Sequence, residues 1–241
     1  MLNFFPTPSP IQDHLLSITD FNVDQINQFL DFVAQVETHC DDVVDILKGK
    51  VLATLFFEPS TRTRLSFETA MFRCGGQVIS VEDGNTSSFK KGETLEDMGK
   101  VVSQYADLIV VRHPERLSCY QIAKGSDVPV INAGDGDHEH PSQALLDLYT
   151  ILKQKKDLNG LRVGFFGDLK YARSAHSTIK ALAKYDTSFT FISHSDFNIN
   201  DDIKASLKDR SCEFLLPNAL EDALSYCDVL YVTRLQKERF K

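Results

Sequence analysis

Val51-Leu52-Ala53-Thr54-Leu55-Phe56-Phe57 is a near-continuous apolar run, and Glu58-Pro59-Ser60-Thr61-Arg62-Thr63-Arg64 follows it directly. A run of that length, bounded by a proline and hydroxyl side chains, reads as a buried strand leaving through a turn. Phe67, Ala70, Met71 and Cys74 then recur at helical spacing, and Gly75-Gly76 offers a left-handed stop. The stretch predicts a strand-loop-helix unit with residues 58–64 at its turn.

Working outward, further apolar runs at residues 77–81, 107–111 and 128–131 are separated by segments long enough for crossover helices, which predicts a mostly parallel sheet. A long helix is expected from Pro141, with Leu145, Leu148, Tyr149 and Leu152 on one stripe. Strands are expected again at 161–166, 188–192 and 228–233. The polar segment 153–160 ends in Asn159-Gly160 and marks a boundary. The fold class is therefore α/β, with two doubly wound parallel-sheet domains at residues 1–152 and 153–241. The alternation stops at Lys241 shortly after a strand and without a covering helix, so the second domain is expected to be incomplete.

With 241 residues, 42% of them hydrophobic, the chain can bury a sizeable core. Its net charge of -8 argues against broad binding to nucleic acid or an anionic membrane, both of which need a basic surface. An anionic ligand must then meet locally clustered arginines. No stretch approaches the roughly 18 uninterrupted apolar residues of a membrane helix, and no Lys or Arg precedes Lys48, so neither a span nor a leader is expected. Cys40, Cys74, Cys119, Cys212 and Cys227 are odd in number and scattered, and they read as reduced thiols of a cytoplasmic protein.

Ligands of open parallel sheets bind beyond the carboxyl ends of strands. Those positions here are rich in arginine and amide groups. In Ser60-Thr61-Arg62-Thr63-Arg64, hydroxyls, two guanidiniums and a helix amino terminus converge, a combination that favours an anion. The same residues also suit a helix cap flanked by solvated arginines, and the segment by itself leaves the two readings balanced. Arg112-His113-Pro114 after the third run shifts the balance towards a site. The fourth run ends in Asn132-Ala133-Gly134-Asp135-Gly136-Asp137-His138-Glu139-His140-Pro141-Ser142-Gln143. Its Asp, Glu and His side chains are possible metal ligands, but no defined coordination spacing completes them, and a polar turn capping a helix is the commoner arrangement. In the second half, Gly167 to Arg173 and the segment from Arg234 occupy equivalent strand ends, and both arginines are suited to clamping carboxylates. Gly164 and Gly167 do not complete a dinucleotide-binding fingerprint. Residues 85–94, polar and basic between Gly84 and Gly92, read in isolation as a solvated loop.

Taken together, Phe56 to Glu68, Asn85 to Thr94, Arg112-His113-Pro114, His140-Pro141-Ser142-Gln143, Gly167 to Arg173 and Thr233 to Phe240 resemble the aspartate carbamoyltransferase catalytic chains. The ornithine carbamoyltransferases share two of these motifs. They are disfavoured by Glu58-Pro59, by Lys90-Lys91-Gly92-Glu93-Thr94 and by the Arg-x-Gln-Lys-Glu-Arg pattern at 234–239.

The resemblance implies a carbamoyl-phosphate domain followed by an aspartate domain, and a transferase needing no cofactor or metal. It implies a homotrimer with active sites at subunit interfaces, and it leaves room for regulatory chains as further partners. Residue by residue, it implies that Ser60, Thr61, Arg62 and Thr63 hold the phosphate and that Arg112 bridges phosphate and carbonyl oxygen. Arg64 supports the loop, His140 donates to the carbonyl oxygen, and the Gln143 side-chain carbonyl accepts from the carbamoyl NH2. Ser87 and Lys91 would reach a neighbouring subunit's site. Arg173, Arg234 and Gln236, with Lys91, would hold aspartate. Ala172, Ser142 and Glu139 stand where the family commonly has Gly, Thr and Asn, and none of these changes removes a charged ligand group.

Overall fold

The opening run forms strand β1 (Val51–Phe56); the computed structural model describes residues 14–81, 92–216 and 225–234. Along β1 the side chains alternate. Leu52 and Phe56 join Met71, Val110 and Ala133 in one cluster, while Ala53 and Leu55 join Leu95, Met98, Ile109 and Ile122 in another. Both faces of the strand are thus buried, which is why its sequence is a continuous apolar run rather than a period-two pattern.

Around β1 the chain adds α1 (Val23–Thr38), α2 (Thr61–Arg73), β2 (Gln77–Val81), α3 (Leu95–Val102), β3 (Leu108–His113), α4 (Ser118–Gly125) and β4 (Val130–Asp135). The strands are parallel in the order β2-β1-β3-β4. Asn22 and Gln25 cap α1 reciprocally, each side chain accepting from the other residue's backbone N–H at 2.9 Å. The outer edge of β4 is closed by the segment before α1. Leu15 donates to the Val130 carbonyl at 2.9 Å and accepts from the Asn132 N–H at 2.8 Å.

The stop after α2 is left-handed as expected. Gly75 has φ +82, and the Gly75 and Gly76 N–H groups return to Phe72 and Met71 at 3.0 Å each. A Cβ on Gly75 would also lie 2.7 Å from Asp45 Cα. Gly75→Ala should therefore lower stability by at least about 1–2 kcal/mol, the cost of the left-handed backbone alone. A denaturation midpoint equal to wild type would contradict that account.

The second unit contains α5 (Pro141–Lys155) from its first turn onward, then β5 (Leu161–Phe166), α6 (Arg173–Leu182), β6 (Thr187–Ile192), α7 (Asp201–Asp209), β7 (Phe214–Leu215) and β8 (Val229–Val232). Its parallel sheet runs β7-β6-β5-β8. Phe165 is its centre, with ring centroids of Tyr231, Phe191 and Phe189 at 5.1, 6.1 and 6.3 Å. The chain divides into compact units at Ser142/Gln143, ahead of the boundary expected after residue 152. Most of α5 goes with the second unit because Asp147 in its second turn is hydrogen-bonded to Thr178 of α6 and Tyr231 of β8. β7 has no counterpart in the sequence reading, since two residues make no periodic signal.

Candidate active site

In the first sheet the chain leaves β1, forms β2 on one side, and returns to form β3 on the other. The carboxyl ends of β1 and β3 thus flank a topological switch point, where a crevice opens in such sheets. The register puts Phe56 beside Arg112, and the Phe57 N–H donates to the Arg112 carbonyl at 2.8 Å. Ser60 to Arg64 leave the end of β1, Arg112 sits near the end of β3, and His140 closes the loop after the neighbouring β4. One edge of one sheet therefore carries all the phosphate-site residues expected between 60 and 140 that are described.

Ser60 occupies the N-cap position of α2, yet its side chain makes no capping hydrogen bond. The capping alternative thus loses its usual support for that hydroxyl. No acidic residue lies in the first turn, so the free N–H groups of this 13-residue helix carry an uncompensated partial positive charge. Thr61 and Arg62 are exposed there. Arg64 faces the other way. Its Nε lies 3.5 Å from Glu68, whose carboxylate also accepts from Thr54 at 3.1 Å and Ser80 at 2.9 Å. That network braces α2 against β1 and β2, in keeping with a supporting role for Arg64. Arg112 Nε is 3.4 Å from Glu58 and its Nη1 donates to the Ala133 carbonyl at 3.5 Å, so the guanidinium spans from the β1 turn to β4.

The loop after β4 is built by its own carboxylates. Asp135 is fully buried; its Oδ1 accepts from Asn132 at 2.8 Å and the Glu139 N–H at 3.2 Å, and its Oδ2 accepts from the Leu117 N–H at 2.9 Å. His138 Nδ1 sits 3.1 Å from the same Oδ2. Burial pushes the Asp135 carboxyl up, but the contacts with His138 and Asn132 outweigh it and hold the group below its ordinary value. Glu139, also buried, accepts from Ser17 Oγ and the Ile18 N–H at 2.9 Å each. These acids serve as ties that shape the turn in front of His140, which accounts for them without an ion. His113 is buried edge-on against Phe57, at 5.3 Å between ring centroids, and burial lowers its pKa.

The second sheet has its own switch point, between β5 and β8, and Arg173 and Arg234 follow those two strands. Gly167 leaves β5 with φ +114, where a Cβ would meet Thr233 Oγ1 at 2.7 Å. Thr233 Oγ1 lies 3.0 Å from the Asp168 carbonyl, and Asp168 Oδ1 accepts from the Lys170 and Tyr171 N–H groups at 3.1 and 3.0 Å. The turn that presents Arg173 is thereby pinned to the end of β8. On α5, Gln143 Nε2 donates to Asp147 Oδ1 at 2.9 Å, one helical turn along. Ser87, Lys91 and Gln236 lie outside the described residues. Glu68 and Asp147 were given no role of their own from the sequence. Glu68 and Asp147 stand four residues after Arg64 and Gln143, so helical spacing was the available signal.

A family model described as the aspartate/ornithine carbamoyltransferase carbamoyl-P binding domain matches residues 13–153. The aspartate carbamoyltransferase catalytic subunit of Clostridium novyi is 45% identical over 229 residues, covering 95% of this chain and 75% of its own length. This chain belongs to the aspartate carbamoyltransferase family. The catalytic subunit of Methanocaldococcus jannaschii aspartate transcarbamoylase superposes with a TM-score of 0.87 at 45% identity, over 95% of this chain and 76% of that one. Trypanosoma cruzi aspartate transcarbamoylase, in complex with carbamoyl aspartate and phosphate, superposes with a TM-score of 0.91 at 32% identity, over all of this chain and 80% of that one.

Proposed function

We propose that this chain transfers the carbamoyl group of carbamoyl phosphate to the amine of L-aspartate, giving N-carbamoyl-L-aspartate and phosphate, a step of pyrimidine biosynthesis. The observation that carries the reading is the register of Arg112 beside the turn that ends in the uncompensated start of α2. That arrangement offers a dianion N–H groups, hydroxyls and two guanidiniums at one sheet edge.

Residues 1–152 then act as the carbamoyl-phosphate domain and 153–241 as the aspartate domain. Ser60, Thr61, Arg62 and Thr63 hold the phosphate, while Arg112, His140 and Thr63 donate to the carbonyl oxygen. As the amine attacks the carbonyl carbon, the new C–N bond forms, negative charge collects on that oxygen, and these donors stabilise it. Collapse breaks the C–O bond to phosphate, and the departing phosphate takes the amine proton. Gln143 accepts from the carbamoyl NH2, and Arg173, Arg234 and Gln236 hold the aspartate carboxylates. Ser87 and Lys91 act in a neighbouring subunit's site, so the working unit is a homotrimer, open to regulatory chains. Five free thiols suit a cytoplasmic setting. Neither nucleic acid nor membrane is a partner in this reading; among the described residues no helix is long and apolar enough to cross a membrane.

The deciding assay offers carbamoyl phosphate with aspartate or with ornithine. Carbamoyl-aspartate formation is expected, and preferential use of ornithine would overturn the acceptor assignment. Arg234→Ala should raise the aspartate concentration needed for half-saturation by on the order of tenfold or more, the value of a charge-assisted hydrogen bond. An unchanged aspartate saturation curve would remove Arg234 from the site.

A further inference from the structure

Asp147 is a half-buried acid that none of the roles above uses. It lies one turn after Gln143 on α5, and its two oxygens divide their work. Oδ1 accepts from Gln143 Nε2 at 2.9 Å, while Oδ2 accepts from Thr178 Oγ1 at 2.9 Å and from the Tyr231 hydroxyl at 3.0 Å. Burial raises the pKa of the Asp147 carboxyl against the lowering effect of the hydrogen bonds it accepts, while burial and the neighbouring Asp147 carboxylate together raise that of the Tyr231 hydroxyl. A carboxylate can only accept, so the amide facing it must present its NH2 and turn its carbonyl oxygen elsewhere. Rotating the Gln143 amide by half a turn would set oxygen against oxygen.

We propose that Asp147 is a positioning residue which fixes the Gln143 amide as an acceptor, and so makes the site select an acyl phosphate bearing an NH2 group. The proposal rests on the reading that Gln143 meets the carbamoyl group. Its anchors come from three elements: Thr178 on α6 and Tyr231 on β8 hold the carboxylate still, and α5 supplies both Asp147 and Gln143. Geometry of this kind sets specificity more than folding, because a misturned amide leaves a buried polar group opposing the wrong ligand atom.

The test compares dissociation constants of carbamoyl phosphate, acetyl phosphate and inorganic phosphate for the full chain. Acetyl phosphate carries a methyl group where carbamoyl phosphate carries NH2. Wild type should prefer carbamoyl over acetyl phosphate by on the order of tenfold, about the worth of one well-made hydrogen bond. Asp147→Asn, whose amide can face Gln143 either way, should reduce that preference to near unity while inorganic phosphate binds as before. Thr178→Val and Tyr231→Phe, which leave the Gln143 contact in place, should keep most of the preference. A wild-type preference retained in Asp147→Asn overturns the proposal, as does its equal loss in all three variants, which would mark a merely structural cluster. Gln143→Ala tests the underlying reading: if it keeps the wild-type preference, Gln143 is not the carbamoyl contact and the proposal falls with it.

Discussion

Arg112→Ala should lower carbamoyl transfer by about tenfold to a thousandfold, the range seen when a preorganised donor to a developing oxyanion is removed. Arg112 is the residue that the two central strands place beside the start of α2, through the Phe56 and Arg112 register and the 2.8 Å bond from the Phe57 N–H. Its guanidinium is also the bridge from Glu58 to the Ala133 carbonyl. Alanine removes the charge from the crevice and leaves Glu58 facing the phosphate position without its counterion, so both binding and turnover should suffer. Arg112→Lys keeps the charge but not the planar fork, and should recover only part of the rate. Steady-state kinetics with carbamoyl phosphate as the varied substrate provide the check. Near-normal turnover in the alanine variant would sink the oxyanion assignment, and with it the shared role of His140.

Asp135→Ala should be the most destabilising single change in the first unit, by about 3–4 kcal/mol, since at least two buried backbone N–H groups, of Leu117 and Glu139, would lose their acceptor. The Asn132 amide would lose one of its two acceptors, keeping the Leu16 carbonyl, and His138 would lose its contact with the carboxylate. The pH dependence has a definite sign. The folded carboxyl sits below its ordinary value of 3.8, so its stabilisation is present above that value and is lost as pH falls through the lower, folded value. The gap between wild type and Asp135→Ala should therefore stay constant from neutral pH down to about pH 4 and narrow below it. Chemical denaturation at several pH values measures this directly. A gap independent of pH into the strongly acid range would show that the carboxylate charge contributes nothing.

The inner strands β1, β3 and β5 were readable because each is largely buried on both faces, and such strands announce themselves as apolar runs whatever they pair with; β2 is mostly exposed, and its run was still readable. Val51–Phe56, Gln77–Val81 and Leu161–Phe166 stand within a residue of where the runs place them. The Gly75 stop was readable for a similar reason, since only a left-handed position makes that residue necessary. The division into compact units at Ser142/Gln143 was less legible. Polar composition marks where a helix ends, whereas membership of α5 in the second unit depends on where Asp147 finds its partners.

By itself the sequence determined the alternation of strand and helix, the arrival of arginines at strand ends, and the local chemistry of Ser60 to Arg64, all of which are properties of neighbouring residues along the chain. Only the tertiary structure decided which of those ends share a crevice and which charges are already matched. Arg64 and Arg62 look alike in sequence, yet Arg64 is paired with Glu68, itself held by Thr54 and Ser80, while Arg62 is exposed at the start of α2. Asp135, Glu139 and His138 look like metal ligands, yet partners as distant in sequence as Ser17, Ile18 and Leu117 turn them into ties for the loop. The physical reason is the same in each case. A side chain's charge and hydrogen-bonding capacity are local, but the partner that satisfies it is chosen by strand order and packing between segments far apart in the chain.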